Sequence, residues 1–124
     1  MDIKLSHQTQ MMKLKAKNIS LLNYSIILKK FVNYQITKDY SDCYVYRCQK
    51  ETSDFLIYLR KTNVKSISLI TTEKIFEYLT TLTKYQLGTR NCIISIIRVF
   101  LRFCYLNKIT VADLSLVVPR AKGC

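Results

Sequence analysis

Gly88 to Lys108 reads GTRNCIISIIRVFLRFCYLNK, a segment dense in Ile, Phe and Leu that still carries Arg90, Arg98, Arg102 and Lys108 and no acid. On a wheel at about 100° per residue, Ile93, Ile96, Ile97, Phe100, Phe103 and Cys104 cover one broad side. Ile94, Val99, Leu101 and Leu106 cover the flanks. The remaining wedge, roughly 80° wide, holds Asn91, Ser95, Arg98, Arg102 and Tyr105. The segment therefore reads as the central helix of a bundle, packed on most of its girth and open along one basic stripe. Gly88 is expected to be the special-angle residue of the preceding turn, and Thr89 to cap a helix that runs to about Asn107.

Helices usually interleave charges of both signs, because opposite charges four residues apart help slightly and like charges cost slightly. Here no carboxylate lies between Glu77 and Asp113, while Lys84, Arg90, Arg98, Arg102 and Lys108 all do. Such a stripe makes sense if the counter-charge comes from outside. Phosphate suits it, since arginine offers a planar, bidentate donor fork. Thr89, Arg90 and Asn91 are expected at the helix start, where free N–H groups and the positive dipole end favour an anion. Asn and Arg also match adenine and guanine edges in a major groove. The competing expectation is that Arg98 and Arg102 pair with Glu73, Glu77 or Asp54 across the bundle.

The rest of the chain fits around this helix. Its 124 residues suffice for one domain. The composition, 49% hydrophobic and 23% charged, is globular. Two Gly and one Pro are less punctuation than sheets and hairpins need, so an all-α fold is expected. Leu21 to about Gln35 reads as a first helix, with Tyr24, Ile27, Leu28, Phe31 and Tyr34 at helical spacing. A second helix runs from Asp42 to Lys61, with Ser41 or Asp42 as cap. Its inner stripe is Val45, Cys48, Thr52, Phe55, Leu56 and Leu59, opposite Arg47, Lys50, Asp54 and Lys61. A short third helix spans Thr72 to Leu82 and turns Ile75, Leu79 and Leu82 inward. Residues 1–19 read as a flexible basic arm, 20–110 as the helical domain and 111–124 as an extended exit linker.

Net charge is +12 and the pI about 9.6. A field of that sign and size attracts polyanions. The five cysteines include no C-x-x-C pair, and the only histidine is His7, so no zinc cluster is expected. Cys48, Cys92 and Cys104 fall among apolar neighbours and read as free thiols acting as small hydrophobes. That usage points to a reducing, cytoplasmic setting. No signal peptide or bilayer-length apolar run is visible. Paired carboxylates, a nucleophile–histidine pair and a phosphate-cradling glycine loop are all missing from the sequence. The expectation is therefore a non-enzyme with no cofactor, no metal, no membrane and no small-molecule ligand. The second helix offers a further patch, Ser41, Tyr44, Arg47 and Lys50, diluted by Asp42 and Glu51. It reads equally as a contact face and as a solvated one. Nine tyrosines suggest base stacking, but their helical spacing favours core packing.

DFLIYLRKTNVKSISLITTEKIFEYLTTL, then GTRNCIISIIRVFLRFCYLNKIT, then DLSLVVPRAK, resembles the N-terminal core-binding (SAM-like) domain of tyrosine recombinases, the phage-integrase family. The resemblance covers residues 20–122. It lies in helix lengths and apolar pattern: an "FL.YL" helix, a short connector, a "hydroxyl-x-x-I…YL" helix, a Thr-containing loop, an "R.F..F" helix and a Pro- and Lys-containing linker. It implies a four-helix bundle forming one jaw of a clamp on double-stranded DNA, with the second and fourth helices approaching the major groove. The matching contact positions are Tyr44, Arg47 and Lys50, then Gln86, Thr89, Arg90, Asn91 and Arg98. To these the charge argument adds Lys84, Ser95 and Arg102. In a full-length parent the resemblance also implies other recombinase protomers as partners.

The family's catalytic Arg, Lys, His-x-x-Arg and Tyr lie beyond that linker, and this sequence stops at Cys124. A tyrosine nucleophile needs cationic groups to activate it and to stabilise the transition state. The expectation is sequence-directed DNA binding without cleavage, as a fragment or truncated copy of an integrase. The alternative is a helical module that binds an acidic protein partner.

Overall fold

The computed structural model describes residues 24–120. The expected basic arm, the start of the first helix and the last four residues lie outside them. Among the described residues there are helices and turns and no strand, so the fold is all-α. Helix α1 covers residues 24–37. It is followed by α2 (Asp42–Lys61), α3 (Thr72–Thr81) and α4 (Leu87–Leu106). Short 3₁₀ turns lie at Ile67–Leu69, Leu82–Lys84 and Leu114–Val117.

The boundaries of α2 follow its local chemistry. Ser41 Oγ accepts the Tyr44 N–H at 3.2 Å, satisfying one of the helix's free donors. Asp42 sits in the first turn and Arg60 and Lys61 in the last, each complementing the dipole. Thr71 caps α3 in the same way through the Lys74 N–H.

Helix α4 is the core's centre. Ile93, Ile96, Ile97, Phe100, Leu101, Phe103 and Cys104 are all buried. Phe100 meets Phe31 of α1 edge-on at 5.2 Å between centroids and Phe55 of α2 at 6.4 Å. Phe103 packs on Phe31 and Tyr34. Tyr78 of α3 is buried between Phe55 and Tyr58. The Tyr24 hydroxyl donates to the Val64 carbonyl at 2.5 Å and ties α1 to the connector after α2.

Four features differ from the sequence expectation. First, α4 begins at Leu87, two residues before Thr89. Gly88 is an ordinary first-turn residue with open space beside it, and Gln86 stands at the cap position without a side-chain bond. Second, the exit segment is not extended. Asp113 Oδ1 accepts the Ser115 N–H, starts the Leu114–Val117 turn, and helps fold Ser115 and Val118 back into buried positions. Third, Val99 and Leu106, assigned to packed flanks, are 37% and 57% exposed, because no element among the described residues reaches over them. Fourth, Cys92 is disulfide-bonded, which corrects the expectation of a free thiol there, while Cys43, Cys48 and Cys104 are free.

Two buried polar side chains lack partners. Gln35 and Thr52 are fully buried, and among the described residues neither the Gln35 amide atoms nor the Thr52 hydroxyl makes a hydrogen bond. Residues in the left-handed region follow three helices: Asp39 (φ 60), Asn63 (φ 69) and Lys108 (φ 60).

Candidate nucleic-acid interface

The structure sorts the eleven sequence-selected residues into three groups. The first lies on α2 and is largely committed internally. Arg47 Nε donates to Glu51 Oε2 at 3.0 Å, and Glu51 is buried. Lys50 Nζ sits 3.8 Å from Asp54 and 4.0 Å from Glu51. Tyr44 is half-buried, with its ring 5.1 Å from that of Tyr40 and its hydroxyl against the Cys48 thiol. Burial first, and Cys48 second, pushes the Tyr44 phenol well above its ordinary value. So Arg47 and Lys50 carry acids on their own helix, and Tyr44 belongs to the core's edge.

The second group surrounds the start of α4. Lys84, Gln86 and Thr89 are exposed and Arg90 is half-buried. Among the described residues neither Lys84 nor Arg90 has a carboxylate within ion-pair distance. The Lys84 ammonium lies 5.3 Å over the Tyr85 ring. Because Gln86 offers no side-chain cap, the N–H groups of Leu87, Gly88 and Thr89 point outward at the positive end of a 20-residue helix. The Arg90 N–H is not among them, since it bonds to the Gln86 carbonyl at 2.9 Å. The free-donor site thus sits two residues earlier than the sequence implied. Asn91, expected there too, is half-buried and engaged within the molecule.

The third group runs along the rest of the α4 stripe. Ser95 and Arg98 are half-buried and Arg102 is exposed. Arg102 is not free. Its Nη1 donates to Asp113 Oδ2 at 2.7 Å. The expected acid-free stripe is therefore neutralised at its C-terminal end by a carboxylate of the same chain, though not by Glu73, Glu77 or Asp54. Glu77 accepts instead from Tyr58 Oη and Lys74 Nζ, and those bonds hold its carboxyl below the usual value. Among the described residues Arg98 makes no ion pair, and its buried Nε has no hydrogen-bond partner.

Arg98 and Arg102 line a cleft of about 380 Å³ shared with Tyr34 and Arg120. Neither Tyr34 nor Arg120 was selected from the sequence as a site residue. The signal for Arg120 is the D-L-S step at Asp113–Ser115, an Asx-type turn that folds the following residues back towards α4.

Asp113 is the hinge of this region. Burial pushes its carboxyl up, but hydrogen bonds from Ser115 and Arg102 outweigh that and leave it below the ordinary value. A depressed carboxylate stabilises the fold above its unfolded pKa of about 3.9 and loses that contribution as pH falls through the folded value. Asp113→Asn keeps an acceptor for the Ser115 N–H but removes the ion pair with the half-exposed Arg102. A loss of about 0.5–1 kcal/mol is expected in urea unfolding at pH 7. The difference from the parent protein should shrink as pH drops below about 4. An undiminished difference at pH 3 would show that the ion pair contributes nothing.

Among the described residues no helix is long and apolar enough to cross a membrane, and no cluster of His, Cys, Asp and Glu could hold a metal ion. No protein-family model, curated protein or solved structure matches the chain.

Proposed function

We propose that this chain binds duplex DNA as the N-terminal core-binding domain of a site-specific tyrosine recombinase, and that it does so without catalysing strand cleavage. The observation that carries the reading is the start of α4: Lys84 and Arg90, two cations without acidic partners among the described residues, flank an uncapped helix end. The helix behind them has no carboxylate along its length. Backbone N–H groups and the helix dipole take a phosphate there, and the two cations add charge on either side. Gln86 and Thr89 are exposed beside that phosphate site, where their side chains can meet base edges. The net charge of +12 supplies the long-range attraction. The setting this function requires is an intracellular one, where duplex DNA is present.

The test is the salt dependence of duplex binding, followed by fluorescence anisotropy. Each phosphate contact adds about 0.9 to the slope of log affinity against log salt, so a slope between about −3 and −6 is expected. A flat salt response, or no binding to duplex at about 20 mM salt, would remove the DNA reading and leave binding to an acidic protein partner as the better account of the charge.

A further inference from the structure

The geometry points to a phosphate-monoester pocket in the cleft between the end of α1, the C-terminal half of α4 and the exit segment. Its ligand would be a 5′-nucleoside phosphate, whether a free mononucleotide or the phosphorylated end of a strand. The inference stands apart from the duplex reading and departs from the sequence expectation of no small-molecule ligand.

Three arginines, Arg98, Arg102 and Arg120, line one cleft of about 380 Å³. Among the described residues only Arg102 has a carboxylate, the Asp113 side chain at 2.7 Å. Within them, two positive charges are left without an acid. A phosphate monoester carries about −1.5 to −2 at neutral pH, which matches them. Arg98 supplies the sharper observation. Its Nε is buried and makes no hydrogen bond among the described residues. A buried, charged donor without an acceptor is costly, and a turn of the Arg98 side chain towards the cleft would let an oxyanion supply the acceptor. Arginine's fork makes two parallel bonds to a phosphate, so Nε and one terminal nitrogen can act together.

The cleft is also larger than a bare phosphate needs. Its volume falls at the low end of ordinary small-ligand sites, roughly 300–1,000 Å³. Its remaining walls include Tyr34, Val99 and Leu106, and the last two are the α4 side chains left uncovered at 37% and 57% exposure. A lining that combines cations with apolar and aromatic side chains suits a molecule with an anionic end and a flat, poorly hydrated body. A base within a continuous duplex is stacked and paired and cannot present itself this way, whereas a mononucleotide or a strand end can.

The experiment uses the full chain, labelled with ¹⁵N, and follows the Arg98 Nε–Hε resonance during titration at low salt. The probes are inorganic phosphate, phenyl phosphate, deoxyadenosine 5′-monophosphate, and a short single strand with and without its 5′-phosphate. Phenyl phosphate and the mononucleotide should shift the Arg98 resonance saturably and bind at least tenfold tighter than inorganic phosphate. Arg98→Lys should weaken both at least tenfold. If that variant does not fold, the resonance shifts of Arg98 and the Tyr34 ring in the parent protein decide the matter. Dependence on the phosphate in either the mononucleotide or the strand arm supports the pocket and identifies the source. Overturning results are binding no tighter than inorganic phosphate, no movement of the Arg98 resonance, or indifference to the phosphate in both arms. Duplex lacking 5′-phosphates, titrated in parallel, separates the two readings, because it tests the α4 start without offering the pocket its ligand.

Discussion

Phe100→Ala is expected to lower folding stability by about 3–5 kcal/mol, the largest effect of any single truncation in this chain. Phe100 is 0% exposed and sits where α1, α2 and α4 meet, against Phe31 and Phe55. Removing the ring deletes buried apolar area and two edge-on aromatic contacts. It also leaves a void that three helices cannot close without moving their axes. Domains of this size hold only about 5–15 kcal/mol in total, so the variant would stand near the folding threshold. A fall in melting temperature of about 10–20 °C should accompany the loss. Calorimetry with urea unfolding checks both. A loss below about 1 kcal/mol would mean that α4 is not the central element, and every statement about its outer face would need rebuilding.

The second large effect belongs to binding. Reversing Lys84 and Arg90 together, to Glu, should weaken duplex affinity by about 100-fold at 0.1 M salt. Two lost phosphate contacts remove nearly two units of salt slope, which at that concentration corresponds to almost two decades, before any added repulsion. The substitutions are well placed for a clean reading. Lys84 is exposed, and neither residue has an ion pair among the described residues to lose. A carboxylate at position 90 lies in the first turn of α4, where the dipole favours it, so folding should be unharmed. The same reversal at Lys50, whose charge is already answered by Asp54 and Glu51, should matter far less. Equal effects at the two places would argue for diffuse attraction rather than a site, and unchanged affinity in the double variant would displace the site from α4 altogether.

Much of the helical framework is legible in the residues. The span of α2 and the buried face of α4 follow from apolar periodicity and a serine cap, both local signals. The start of α4 is misread for a local reason too. A glycine followed by threonine suggests a turn and a cap, yet glycine is also tolerated in a first turn, and nothing nearby forces it into a left-handed angle. What periodicity cannot convey is which flank of a helix meets a neighbour. Val99 and Leu106 are as apolar as Ile94, and only the placement of α1 and the exit segment leaves them uncovered. The Arg102–Asp113 pair lies further from the reach of sequence. It spans eleven residues and exists only because the Leu114–Val117 turn reverses the chain. Arg120 enters the candidate pocket for the same reason.

The left-handed residues after α1, α2 and α4 bear on how this scaffold could be hardened. Asp39 and Asn63 adopt that angle at modest cost, but Lys108 holds its Cβ against the neighbouring carbonyl, a clash of roughly 1 kcal/mol that glycine avoids. Lys108 is exposed and makes no ion pair among the described residues, so nothing in the packing opposes the exchange. A heat-selected library would be expected to drift towards glycine at this corner first, trading one surface cation for a relaxed helix terminus.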